Sequence, residues 1–236
     1  MYTSGSTGTP KGVMISHGNL LASGKSFPIR LGKLKKNKEI WVAYLPLAHV
    51  LELTAEIGCL IGGIRIGYST PQTIVDTSTA IKRGQKGDLR ILKPTIMAAV
   101  PLILERFAKA VREKISKTSW IQQTIFNQAF QYKLEKVRKG RSTFFLDRLL
   151  FNKISSAVIG GKVRYIICGS ALLSIDVQEY MQVCLAPVRQ SYALTEVSFI
   201  ISKFIIIILL FYFFFRHVLE VRLNTNLKKK LKTVVA

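Results

Sequence analysis

The residues Ser4-Gly5-Ser6-Thr7-Gly8-Thr9-Pro10-Lys11-Gly12 concentrate hydroxyls, glycines and a lysine in one short stretch. That is the chemistry of a phosphate cradle: glycines let the backbone turn its N–H groups inward, hydroxyls donate further bonds, and lysine adds a full positive charge. The common nucleoside-triphosphate loop, G-x-x-x-x-G-K-[ST], is excluded, because Pro10 precedes Lys11 and Gly12 follows it, which leaves no hydroxyl for a metal ion. A flexible Gly/Ser/Thr linker is the other reading of such a composition. The Pro-Lys-Gly ending, followed by apolar Val13-Met14-Ile15, argues against it.

Three other places carry candidate chemistry. His49 lies in Pro46-Leu47-Ala48-His49-Val50, a loop after a β-rich run; a histidine satisfied by backbone in a core turn is the alternative there. Gly169-Ser170-Ala171 follows an apolar strand, and Ser191-Tyr192-Ala193-Leu194-Thr195-Glu196 follows another, where Glu196 taken by itself is an acid at a helix start. Open α/β sheets bind ligands in loops outside the carboxyl ends of their strands, so His49 sits where chemistry is plausible.

The elements that must position these loops can be read from pattern. Strands are expected at Ile40–Leu45, ended by Pro46, at Ile64–Tyr68, Pro94–Val100, Val163–Cys168 and Pro187–Gln190. A helix starts near His17, with Asn19 as a capping residue, and another runs from Leu51 to the Gly62-Gly63 pair. Pro101 opens a helix whose stripe is Ile103, Phe107, Val111 and Ile115. A further helix covers Ile121 to Lys139, with Ile121, Ile125, Ala129 and Val137 on its apolar face, and Lys133 to Arg141 form a solvated basic end. Ser174 caps one more helix. Alternation of strand and helix predicts an α/β fold with a mostly parallel sheet flanked by helices.

Composition bounds these readings. The 236 residues are 49% hydrophobic, enough for a packed core. With 35 Lys and Arg against 13 Asp and Glu the net charge is +22, which favours anionic partners: a nucleotide, acidic lipid headgroups or nucleic acid. Scattered basic residues without an aromatic platform motif count against nucleic acid. Cys59, Cys168 and Cys184 each stand in apolar surroundings and form no C-x-x-C pair, so buried reduced thiols are expected rather than zinc ligands. No basic-then-apolar leader precedes the loop, and so few residues come before it that a fragment of a longer chain is expected.

The chain resembles the AMP-forming adenylate synthetases, and within them the long-chain fatty-acid–CoA ligases. The residues carrying the likeness are Tyr2–Gly12, Tyr44–Val50, Gly67-Tyr68 with Pro71-Gln72, Lys93-Pro94-Thr95, Val100-Pro101, Cys168–Ala171 and Tyr192–Glu196, in the family's order over residues 1–196. The resemblance implies a partial N-terminal adenylation domain. It implies ATP-dependent activation of a long-chain fatty acid through an acyl-adenylate, with CoA as the second acceptor. By resemblance, Ser4, Gly5, Ser6, Thr7, Gly8 and Lys11 hold the β- and γ-phosphates, and Gly169, Ser170 and Ala171 line the adenine. Tyr192 stacks on the adenine, Thr195 touches the α-phosphate, Glu196 holds Mg²⁺, and His49 lies beside the acyl carboxylate. The sequence departs from the family in having Ser191 and Ala193 where glycine is usual, and Ala171-Leu172 in place of Gly-Ala-Pro. The ribose-binding aspartate and the C-terminal lid have no counterpart after Glu196. A catalytically inactive nucleotide-binding fragment and a basic membrane-attached protein therefore stand as alternatives.

Residues 197–215 form an apolar segment and residues 216–236 a basic tail. A helix over 197–215 would be about 28 Å long, near the hydrocarbon thickness of about 30 Å, with Lys203 snorkelling. Arg216, His217, Arg222 and the lysines from Lys228 to Lys232 would keep the C-terminus cytoplasmic, on the face of an intracellular membrane such as the endoplasmic reticulum. Translated non-coding sequence from A/T-rich bases is the other reading of these residues.

Overall fold

The computed structural model describes residues 1–3, 9–32, 34, 38–169, 171–195 and 199–202, with backbone alone for 30, 192–194 and 199–202. The chain divides into two compact units, Met1–Ile200 and Ile201–Ala236, and the second lies almost wholly outside the described residues.

Two short strands, β1 (Tyr2–Thr3) and β2 (Lys11–Gly12), pair antiparallel. Then follow α1 (His17–Arg30), β3 (Ile40–Ala43), α2 (Val50–Gly62), β4 (Arg65–Tyr68), α3 (Asp88–Leu92), β5 (Ile96–Ala99), α4 (Pro101–Ser116) and α5 (Trp120–Arg138). A broken helix comes next: α6 (Phe144–Leu146), a π-helical turn at Asp147–Phe151 and α7 (Asn152–Ile159). The described residues end with β6 (Tyr165–Cys168), α8 (Ile175–Cys184), β7 (Val188–Leu194) and β8 (Phe199–Ser202). The main sheet has the order β4-β3-β5-β6-β7-β8, and every pairing from β4 to β7 is parallel, as alternation of strand and helix predicts.

Successive residues of the central strands face opposite layers. Val42, Met97, Ala99, Ile166 and Cys168 enter one core with Phe107 and Val111 of α4, Phe126 of α5 and Met181 of α8. Trp41, Ala43, Ile96, Ala98, Tyr165 and Ile167 enter the other with Phe27 of α1 and Leu51, Ala55 and Cys59 of α2. Both faces are thus covered, which explains why these strands read as continuous apolar runs. On the second face α1 and α2 cross closely because Gly58 has no side chain: a Cβ there would stand 2.7 Å from Phe27.

Local signals set most boundaries. Pro101 occupies the first turn of α4, and Gly63 closes α2 at φ 63°. Ser174 caps α8 by accepting from the Val177 N–H. Five expectations are corrected. The cap of α1 is Ser16, which accepts from the Asn19 N–H, because a hydroxyl three residues before that amide reaches it, whereas Asn19 already lies inside the helix. On α5 the inward residue is Phe126, with Ala129, Phe130 and Leu134 packed beside it, while Ile121 and Ile125 are exposed. Lys133, expected in the solvated end, is buried instead, held by Asp147 and the Val183 carbonyl. Residues 199–202, expected inside an apolar helix over 197–215, form strand β8 instead, as the β-favouring Phe199-Ile200-Ile201 run allows. Helix α3 and the broken helix from Phe144 to Ile159 were not legible in the pattern.

Candidate active site

Parallel strands place all their carboxyl ends on one edge of the sheet, and three of the candidate loops leave from that edge. Ala99 of β5 stands opposite Cys168 of β6, and Cys168 stands opposite Gln190 of β7. The Tyr44 hydroxyl donates to the Ala98 carbonyl at 2.8 Å and ties the end of β3 to β5. Burial, then the charges of Glu52 and Cys168, push the Tyr44 phenol far above its ordinary range, so it remains a neutral donor.

His49 follows β3 as the N-cap of α2, where its Nδ1 accepts from the Leu51 N–H at 3.2 Å. Capping through Nδ1 requires a neutral imidazole with its proton on Nε2, and such a nitrogen is a donor of the kind a carboxylate oxygen accepts. Partial burial lowers its pKa, which favours that neutral form. The two readings of His49 are therefore compatible: the backbone satisfies one ring nitrogen and defines the chemistry of the other.

Gly169 follows β6, and Ala171, on the far side of Ser170, is exposed. The Ser191 hydroxyl donates to the Cys168 carbonyl at 3.3 Å, and a Cβ on Gly169 would meet that hydroxyl at 3.5 Å, an ordinary contact. Ser191 thus pins β7 to β6 beside Gly169. Strand β7 runs to Leu194, further than the sequence pattern suggests, and carries Tyr192 along the edge, with Thr195 just past its end.

Lys11 lies on a different element. It pairs with Thr3 across the small β1–β2 ladder, extended by Met1 and Val13, and these strands flank the phosphate-loop residues. Ser4, Gly5, Ser6, Thr7, Gly8, Ser170 and Glu196 lie outside the described residues, as do 203–236. Among the described residues no group of three His, Cys, Asp or Glu side chains could hold a metal ion, and no helix is long and apolar enough to cross a membrane. The three cysteines are free and buried; burial pushes Cys59 and Cys184 up to about 12 and Cys168 to about 11, which keeps them protonated.

Sequence reasoning missed Glu52. It stands in an apolar run, three residues after His49, with 0% of its surface exposed. The signal was a lone acid inside an otherwise apolar helix start.

The family model for AMP-binding enzymes matches residues 1–215. Long chain acyl-CoA synthetase 8 of Arabidopsis thaliana is 45% identical over 203 residues, covering 83% of this chain and 28% of the relative. Long-chain-fatty-acid–CoA ligase 1 of Schizosaccharomyces pombe is 39% identical over 199 residues, 84% of this chain and 29% of the relative. This chain therefore spans less than a third of the length of either relative. Among solved structures, the adenylation domain of a carboxylate reductase from Mycobacterium chelonae superposes with a TM-score of 0.55 at 23% identity, covering 82% of this chain and 26% of that one, a likeness of fold. On the family match, the ordered motifs and the parallel sheet that presents them, this chain belongs to the AMP-binding enzyme family.

Proposed function

We propose that this chain supplies the ATP- and acyl-binding face of a long-chain fatty-acid–CoA ligase. In the reaction proposed, a fatty carboxylate oxygen attacks the α-phosphorus of ATP, pyrophosphate leaves, and the CoA thiolate then displaces AMP from the acyl-adenylate. Bringing two anions together requires cationic and N–H groups where charge accumulates. The observation that carries this reading is the convergence of His49, Gly169 and the Ser191–Thr195 backbone on one carboxyl edge of a parallel sheet.

The roles assigned to the side chains follow that placement. Lys11, with Ser4, Gly5, Ser6, Thr7 and Gly8, grips the β- and γ-phosphates. Gly169, Ser170, Ala171 and Tyr192 enclose the adenine, Thr195 meets the α-phosphate, and His49 donates to the acyl carboxylate. Glu196 is the one carboxylate for Mg²⁺. A single protein carboxylate fits that ion, which keeps several waters and takes substrate phosphate oxygens for most of its shell. When bound, Mg²⁺ neutralises phosphate charge. The apolar run from Phe204 to Phe215, helped by the basic tail, would enter the bilayer of an intracellular membrane; release by a carbonate wash overturns that part.

Calorimetry with ATP and Mg²⁺ tests the nucleotide site. Lys11→Ala should weaken ATP by about one to two decades, the loss of a charge-assisted contact. An unchanged affinity would move the phosphate site elsewhere.

A further inference from the structure

Glu52 occupies the third position of α2, counted from the His49 cap. An acid there ordinarily reaches back to the N–H of its own cap residue. Here that N–H is already spent, since His49 N donates to the Pro46 carbonyl at 2.8 Å. The Glu52 carboxylate reaches further instead. Its Oε2 accepts from the Leu45 N–H at 3.2 Å, and its Oε1 accepts from the Trp41 indole N–H at 2.9 Å. Trp41 is itself fully buried in β3 and packs edge-to-face on Phe27 with ring centroids 5.3 Å apart.

These bonds pin a short loop at both ends. Leu45 is held to Glu52 where β3 has stopped pairing, Pro46 and His49 close on each other, and the Leu51 N–H fixes the imidazole. Donors converge on Glu52 from the Trp41 indole, from Leu45 and from the Tyr44 backbone, so an acceptor-only carboxylate fits and an amide does not: its NH₂ would face one of them. Burying a carboxylate is costly, and burial pushes this one up to about 7 despite the bonds from Trp41 and Leu45. An apolar residue would fill the same space without that cost.

We infer that Glu52 is a positioning residue, whose buried carboxylate fixes the Leu45–His49 loop and thereby aims the His49 imidazole at the edge of the sheet. It touches no substrate. The inference rests on the reading of His49 given above only for what the aimed ring meets, not for the loop itself.

The test compares Glu52→Leu with Trp41→Phe. Both remove the indole–carboxylate bond from the core, but only the first removes the acceptor for Leu45. In Glu52→Leu, amide hydrogen exchange at Leu45 and Leu47–His49 should speed up about tenfold or more. The His49 imidazole titration should also return toward its ordinary midpoint. In Trp41→Phe the same amides should stay within about threefold of the unmodified chain, whatever happens to global stability. Equal loosening in both variants, or in neither, overturns the inference. Should Glu52→Leu fail to fold, the unmodified chain decides: a Leu45 amide exchanging as fast as that of exposed Lys86 overturns it, and one protected like Val42 and Ala43 supports it. Binding of hexadecanoyl-sulfamoyl-adenosine separates the two claims. If Glu52→Leu frees the loop and weakens this analogue about tenfold while ATP binding is unchanged, both stand. If the loop is freed but even the unmodified chain ignores the analogue, positioning stands and the acyl-site reading fails.

Discussion

Lys133 meets Asp147 at 2.6 Å inside the protein, and the same ammonium donates to the Val183 carbonyl at 2.5 Å and lies 4.2 Å from the centre of the Phe151 ring. One side chain thus joins α5, the π-helical turn and the end of α8. The charge contact with Asp147 Oδ1 lacks hydrogen-bond alignment, which puts most of its worth in electrostatics and the carbonyl bond. Lys133→Met keeps the apolar stem and strands a half-buried carboxylate. It should cost about 2 kcal/mol in urea unfolding, discounted because Asp147 is partly solvated. An unchanged midpoint would mean the lysine is a passenger.

Gly160 closes α7 at φ 81°, and a Cβ there would collide with the Leu89 carbonyl oxygen. Gly63 closes α2 at φ 63° with nothing within 4 Å of such a Cβ. Gly63→Ala should therefore cost only the left-handed penalty, about 1–2 kcal/mol. Gly160→Ala must also part α7 from α3, and should cost roughly twice as much by the same measurement. Equal costs would show that the α3–α7 contact yields freely.

What the sequence disclosed and what it hid have physical reasons. Strands β3, β5 and β6 were legible because both faces of the sheet are covered, so their residues form unbroken apolar runs ended by Pro46, Pro101 and Gly169. The face of α5 was misread because Lys133 enters the core by its stem, and a charged residue at that position turns the apparent stripe toward Ile121 and Ile125. The helix from Phe144 to Ile159 hides because its π-helical turn breaks the 3.6-residue period. Its exposed Phe144, Phe145 and Leu149 add apolar residues that no single face would predict. At the site, loop residues declared themselves by type and order, whereas Glu52 did not, because its role depends on Trp41 and Leu45, neither of which carries recognisable chemistry.

Glu52 gives stability a pH dependence. Its carboxyl is raised by burial from 4.5 to about 7, so between those pH values the folded chain holds a proton that the unfolded chain has released. Stability from this group is full below about 4.5, falls as pH rises toward about 7, and then levels off. The total is on the order of 3 kcal/mol. His49 acts in the opposite sense, since its lowered pKa makes stability fall as pH drops below 6.5. Because Glu52→Leu alone would also alter the His49 titration, the carboxylate is isolated in a His49→Asn background, by subtracting the urea stability of the His49→Asn, Glu52→Leu double variant from that of His49→Asn at each pH. A difference that stays flat from pH 4.5 to pH 7.5 would refute the shift.

His49 carries two tasks that substitution can separate. As the cap of α2 it accepts from the Leu51 N–H; as a proposed acyl-site donor it needs an imidazole N–H. Ala removes both. Asn keeps an acceptor at the cap and loses the ring, and Asn is among the best capping residues. His49→Ala should lower stability by about 1 kcal/mol, and His49→Asn should restore nearly all of it. Affinity for hexadecanoyl-sulfamoyl-adenosine should drop about tenfold in both, because neither presents the Nε2 donor. ATP affinity should not move, since its proposed contacts come from the Lys11 loop and from β6 and β7. Should His49→Asn bind the analogue as tightly as the unmodified chain, the ring is a cap and nothing more, and the acyl carboxylate must be met by another group on the same edge.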